Sequence, residues 1–117
     1  MPYLSFVYEV SDGIATIQLN NPDRLNALTF ETYAELKRVF ASMIDDSTVK
    51  VVVLTGTGKG FCSGGSVHEI IGKLIEMSSE EQHQFTRLTC DVVNNMRRLR
   101  KPIVAAVNGI EIGRAHV

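Results

Sequence analysis

The segment Val51-Val52-Val53-Leu54-Thr55-Gly56-Thr57-Gly58-Lys59-Gly60-Phe61-Cys62-Ser63-Gly64-Gly65-Ser66-Val67 passes from a continuous apolar tract into a glycine-rich loop and then towards a helix. An apolar run rich in β-branched residues, with no polar alternation, is the pattern of a strand covered on both faces, so the strand is expected at the centre of a sheet. Loops leaving such strands carry the ligand sites of open α/β sheets. Ser66 and Glu69 have capping-box spacing, which predicts a short helix from Val67 with its free N–H groups at the end of the loop. The glycines let backbone approach a ligand closely.

Upstream, Phe6, Tyr8 and Val10, then Ala15, Ile17 and Leu19, alternate with a period of two around Ser11-Asp12-Gly13, which predicts a β-hairpin. Residues 20–26 have a loop composition. Thr29 is the expected cap of a helix whose apolar residues Tyr33, Leu36, Phe40, Met43 and Ile44 follow helical spacing to about Asp46. Downstream, Phe85, Leu88, Val92, Met96 and Leu99 mark one stripe of a longer helix from about Ser79 to Arg100. Pro102 prevents that helix from continuing into Ile103-Val104-Ala105-Ala106-Val107, a second strand expected to be buried. Two antiparallel strands, helix, strand, loop, helices and strand fit an α/β layer architecture that begins with a hairpin. The helical stripes are assigned to core packing.

The bulk properties narrow the function classes. The chain has 117 residues, 12 Lys and Arg against 13 Asp and Glu, a net charge of −1, 44% apolar and 21% charged residues, values of a soluble globular unit. This charge balance provides no general field for nucleic acid or membrane, so neither is expected as a partner. The basic run Arg97, Arg98, Arg100 and Lys101 reads as a helix C-terminus, where cations favour the dipole. Residues 1–10 lack the pattern of a secretory signal and no segment approaches a membrane span, so a cytoplasmic location is expected. Cys62 and Cys90 lack paired metal-ligand spacing and are expected as free thiols. His68, His83 and His116 show no metal spacing, so no metal site is expected.

Taken alone, the loop suits several chemistries or none. Gly58-Lys59-Gly60 breaks the phosphate-binding P-loop pattern, and no Gly-x-Gly-x-x-Gly leads from strand to helix. Two residues separate Gly60 from Ser63, so Gly-x-Ser-x-Gly is not matched. Cys62 has no identifiable base partner. A glycine-rich turn without chemistry remains an open reading of this loop by itself.

The loop has companions. Asn21-Pro22-Asp23-Arg24-Leu25-Asn26-Ala27-Leu28, the strand 51–55, Gly60-Phe61-Cys62-Ser63-Gly64-Gly65-Ser66-Val67 and Lys101-Pro102-Ile103-Val104-Ala105-Ala106-Val107-Asn108-Gly109 together resemble, in order and interval across residues 3–110, the enoyl-CoA hydratase/isomerase, or crotonase, family. The resemblance implies the N-terminal part of a crotonase-like spiral of β-β-α units. It implies that Gly65 supplies one backbone N–H of an oxyanion hole for an acyl-CoA thioester. It puts Arg24 and Ala27 by the CoA moiety, and Ser63, Ser66 and Val67 along the thioester or pantetheine channel. Family members commonly carry Ala at Gly65 and Asp at Ser66, so Ser66 keeps a capping oxygen and loses a charge. CoA is part of the substrate, and no separate cofactor is implied. The parent enzyme is expected as a homotrimer or homohexamer, a lyase or isomerase of the fatty acid metabolism type.

After Asn108-Gly109 the family continues with a second glycine-rich loop holding the other donor and, in hydratases, a glutamate. Here the chain reads Ile110-Glu111-Ile112-Gly113-Arg114-Ala115-His116-Val117. Without gaps, Arg114 falls at the second donor position and Val117 at that of the first glutamate, while Glu111 is in the wrong register to replace it. Residues 1–110 are therefore expected to form a truncated crotonase-like domain. Residues 111–117, which match a reading frame of a common sequencing adapter, are expected to be a non-native tail. The printed chain is expected to be inactive and poorly soluble. A non-catalytic acyl-CoA-binding or interaction module is the competing reading. A nucleotide-binding protein, resting on residues 56–60 alone, is a third.

Overall fold

The computed structural model describes residues 3–65 and 70–111. In chain order the elements are β1 (Phe6–Ser11), β2 (Ile14–Leu19), a 3-10 turn at Pro22–Arg24, α1 (Phe30–Ile44), β3 (Val51–Gly56), β4 (Gly60–Cys62), α2 (Gly72–Glu76), α3 (Ser79–Arg98), β5 (Ile103–Ala105) and β6 (Ile110–Glu111). The architecture is α/β, as the sequence predicts.

β1 and β2 pair antiparallel, Phe6 opposite Leu19 and Ser11 opposite Ile14. Asp12 and Gly13 turn the chain between them with φ of 52° and 82°, the left-handed values of a tight hairpin turn. β2 then pairs parallel with β3, and β3 parallel with β5, giving the order β1-β2-β3-β5. β4 and β6 form a separate parallel pair.

The crossover from β2 to β3 is α1. Thr29 caps it, its hydroxyl accepting the Thr32 N–H while Thr32 Oγ1 accepts the Thr29 N–H, which satisfies two of the donors a helix start leaves orphaned. Leu36, Val39, Phe40 and Met43 are buried in one cluster with Ala15, Ile17, Leu19 and Val52 of the sheet, with Val92 of α3 and with Leu99, which caps that helix's C-terminus. Each of these side chains larger than Ala15 contributes roughly 1.5–3 kcal/mol on burial. α3 is joined to α1 by the Asn95 amide on the Lys37 carbonyl (3.0 Å) and a Lys37–Asp91 ion pair (3.2 Å).

Several details depart from the sequence reading. β3 is central, but only Val52 of its four apolar residues is fully buried; Val51, Val53 and Leu54 are half-buried, because the helices pack on one face of the sheet only. The expected second buried strand is short and superficial: β5 ends at Ala105 and Val104 is 50% exposed, since it lies at the edge of the four-stranded sheet. On α3 the stripe is correctly placed but graded, with Val92 and Leu99 buried and Phe85, Leu88 and Met96 half-buried. Phe85 packs edge-on to Phe30 and Tyr33, with ring centroids 4.6 and 5.6 Å away. Lys101 serves α1, not α3: its ammonium donates to the Met43 and Asp46 carbonyls at 2.6 and 2.7 Å, closing acceptors at the end of α1. No helix among the described residues is long and apolar enough to cross a membrane.

Candidate functional site

The glycine-rich segment leaves the end of β3 by folding back on itself. A Cβ at Gly56 would lie 2.5 Å from the Phe61 carbonyl oxygen and 2.7 Å from Asn26 Nδ2, so this position excludes any larger residue. Gly58 follows at φ 85°, and β4 then carries the chain to Ser63, Gly64 and Gly65.

A second segment lies alongside. After the 3-10 turn, Leu25 and Asn26 both adopt left-handed backbone, φ 52° and 58°, a conformation that costs a non-glycine residue roughly 1–2 kcal/mol. It is held by the Asn26 side chain, whose Oδ1 accepts the Asn21 N–H at 2.8 Å. The result is a strap, residues 24–28, whose carbonyls face the loop. Ser63 N–H donates to Leu25 O (3.0 Å), Ser63 Oγ donates to Arg24 O (3.2 Å), and Leu28 N–H donates to Gly64 O (2.7 Å). A parallel bridge pairs Leu28 with Gly65.

Of the residues singled out from the sequence, Arg24, Ala27, Ser63 and Gly65 are thus brought together by main-chain stitching. Ser66 and Val67, with the helix start and capping box predicted there, lie outside the described residues. Gly65 is exposed, and among the described residues no acceptor takes its N–H. A Cβ there would meet only Ile70 Cγ1, at 3.8 Å. The Arg24 residue is exposed. Ser63 spends its hydroxyl on Arg24 O, a tether and not the posture of a nucleophile.

Cys62 is equally unsuited to nucleophilic attack. Burial pushes its thiol pKa up, the Glu111 charge across the β4–β6 pair adds to this, and the Gly64 N–H opposes it. The thiol is therefore neutral at neutral pH, and thiolate is the reactive form. Among the described residues no group of three or more His, Cys, Asp or Glu is placed to hold a metal ion. A cavity of about 270 Å³ between the N-terminal segment and the strap includes Ala27 in its wall but does not reach Gly65.

Two residues without a role in the sequence reading belong to this region. Asn26 donates Nδ2 to the carbonyls of Thr57 (3.1 Å) and Gly60 (2.8 Å), and Asn108 donates Nδ2 to those of Gly58 (3.0 Å) and Gly60 (3.2 Å). Their signal in the sequence is only that each asparagine sits beside a loop or strand end, where side-chain amides commonly satisfy backbone groups.

With this geometry in view, comparison with known proteins is specific. Residues 9–116 match the family described as Enoyl-CoA hydratase/isomerase. A Mycobacterium bovis protein named "Probable enoyl-CoA hydratase echA12" is 39% identical over 104 residues, covering 86% of this chain and 36% of that protein. The 1,2-epoxyphenylacetyl-CoA isomerase of Escherichia coli is 31% identical over 104 residues, covering 89% of this chain and 40% of the relative. The crystal structure of an enoyl-CoA hydratase/isomerase from Mycobacterium paratuberculosis superposes with a TM-score of 0.81 at 31% identity, over 93% of this chain and 43% of that one. The chain spans well under half the length of each.

Proposed function

The chain belongs to the enoyl-CoA hydratase/isomerase family, and from that premise we propose that it is the acyl-CoA-binding N-terminal part of such an enzyme, with the Gly65 N–H as one donor to a thioester oxyanion. A thioester that gains enolate character develops negative charge on its carbonyl oxygen. A donor already fixed in place stabilises that charge without reorganising, and removal of one such donor typically costs about 3 kcal/mol of barrier. The observation that carries this reading is the Gly65 N–H itself: exposed, without an acceptor among the described residues, and on a segment pinned to the strap just ahead of it.

Arg24 at the turn of the strap offers a planar cation to the phosphates of CoA. The family resemblance assigns Ala27 to the CoA moiety, and Ser63, Ser66 and Val67 to the channel towards the thioester. Hydration of a trans-2-enoyl-CoA is the default reaction for the parent enzyme. Isomerisation and other enolate chemistries differ in the acid and base groups set around the same donors. No such group is assigned in this chain, so it is expected to bind without turnover. A homotrimer or homohexamer is proposed for the parent protein only. The free thiols Cys62 and Cys90 suit a reducing compartment such as the cytoplasm.

The test is a titration of the 15N-labelled chain with butyryl-CoA, a saturated thioester. The Gly65 amide resonance is expected to shift saturably, and ATP at equal concentration to leave it in place. No movement of Gly65 sinks the oxyanion assignment, and a preference for ATP transfers the loop to the nucleotide reading. If the parent coding frame carries no carboxylate in a second glycine-rich loop, the non-catalytic acyl-CoA-binding module replaces the enzyme.

A further inference from the structure

The Gly60 carbonyl accepts from both asparagines, Asn26 at 2.8 Å and Asn108 at 3.2 Å. Asn26 approaches from the interior, 2% exposed, and Asn108 from solvent. Asn108 Oδ1 also accepts the Gly56 N–H at 3.1 Å, while Asn26 Oδ1 is taken by the Asn21 N–H. These partners fix both amide orientations, because flipping either would set its NH2 against an N–H and its oxygen against carbonyls. Gly109 completes the contact: a Cβ there would fall 1.9 Å from the Lys59 carbonyl oxygen, so residues 108 and 109 lie flat on the loop. Gly60 opens β4, and Ser63, Gly64 and Gly65 follow it directly.

We propose that Asn26 and Asn108 are positioning residues that form one clamp on the Gly60 carbonyl, setting the 60–65 segment so that the Gly65 N–H meets a thioester oxygen. The proposal rests on the oxyanion reading of Gly65 given above. It makes the strap, the donor loop and the segment entering β6 a single mechanical unit, because Asn26 belongs to the first, Gly60 to the second and Asn108 to the third. A CoA molecule seated on the strap is thereby coupled to the donor through Asn26.

Cys62, between Gly60 and Gly65, reports on the clamp, and the exposed Cys90 is an internal reference. In Asn108→Asp the acceptor oxygen and the size remain, but the donor is replaced by a carboxylate facing two carbonyls. The alkylation rate of Cys62 relative to Cys90 is expected to rise roughly tenfold in Asn108→Asp and in Asn26→Asp, the scale of a lost hydrogen bond with an unpaired partner. The double variant is expected to fall short of the product of the two, because they share an acceptor. Asn108→Asp is also expected to lose the preference for butyryl-CoA over CoA while keeping its affinity for CoA, which a general loss of structure would not produce.

A Cys62 rate within about twofold of native in Asn108→Asp, or a parallel loss of affinity for both ligands, overturns the clamp. If Asn26→Asp fails to fold, Asn108→Asp and Asn108→Ala carry the test, and cross-hydrogen-bond couplings from both side-chain nitrogens to the Gly60 carbonyl in the native chain replace the double variant; their absence overturns the proposal. Butyryl-CoA separates the two ideas. If it binds the native chain no better than CoA while the asparagine variants expose Cys62, the oxyanion reading fails with the loop contacts intact; if it binds better and the variants are silent, only the clamp fails.

Discussion

Gly56 and Gly65 stand at the two ends of one loop and have opposite needs. At Gly56 an added methyl group would meet main-chain oxygens that cannot move independently, whereas at Gly65 it meets one side-chain methylene at ordinary contact distance. Gly56→Ala is therefore expected to destabilise by about 1–3 kcal/mol, read as a lowered urea midpoint. Gly65→Ala is expected to leave the midpoint and butyryl-CoA binding near native, since the N–H donor survives the substitution. The Cys62 thiol adds a pH signature. Its folded pKa lies above the ordinary value, so the fold favours the protonated form. That contribution is complete below about 8.5 and is lost as pH rises through the folded value. Urea midpoints are expected to fall between neutral and alkaline pH, and Cys62→Ala to flatten the decline. The glycine cluster after an apolar strand marked the loop, but only the likeness of residues 21–28, 60–67 and 101–109 together to the family made Gly65 the oxyanion candidate. The sequence did not reveal the asparagine clamp, whose partners on Gly60 are 34 and 48 residues away.

At the scale of elements, helix ends explain much of what was legible. Thr29 fulfils its predicted role, although its reciprocal partner is Thr32 and not a glutamate. At α3, Ser78 Oγ accepts the Glu81 N–H and Glu81 Oε1 accepts the Ser78 N–H at 3.0 Å. Those bonds to Ser78 hold the Glu81 carboxyl below its ordinary pKa. A depressed carboxyl contributes stability above its unfolded value near ~4.3 and loses it as pH falls through the folded one. Helicity followed by circular dichroism is expected to decline on acidification below that point, with the Glu81→Gln variant lacking this component. Ser78→Ala is expected to cost about 1 kcal/mol at neutral pH. The depth of burial was less legible. A β-branched run identifies a strand, but whether one or both faces are covered depends on what packs there, and no local pattern at Val51, Val53 or Val104 encodes it.

Across the whole molecule, the hairpin and the helix that crosses over followed from periodicity and the central strand from an unbroken β-branched run, while the edge position of β5 arose only from the pairing order. Its consequence is measurable. Val104, in the edge strand, and Val107, just past it, are 50% and 58% exposed, and such an edge invites pairing with another chain. Val104→Lys is expected to reduce concentration-dependent light scattering while leaving the urea midpoint within about 0.5 kcal/mol of native. Unchanged scattering would assign association to another surface.

The order β1-β2-β3-β5 repeats the order of synthesis. Within this sheet β2, β3 and β5 each find a partner already present and add to one side, without inserting between strands that have paired. Polypeptide emerges at about 5–20 residues per second, and hairpins close in about 1–10 μs. The β1–β2 ribbon can therefore form before Val51 emerges, and it then serves as the template on which β3 is laid down. Growth of this sheet is vectorial, with the first-made strand, β1, at one edge and β5 at the other among the described residues.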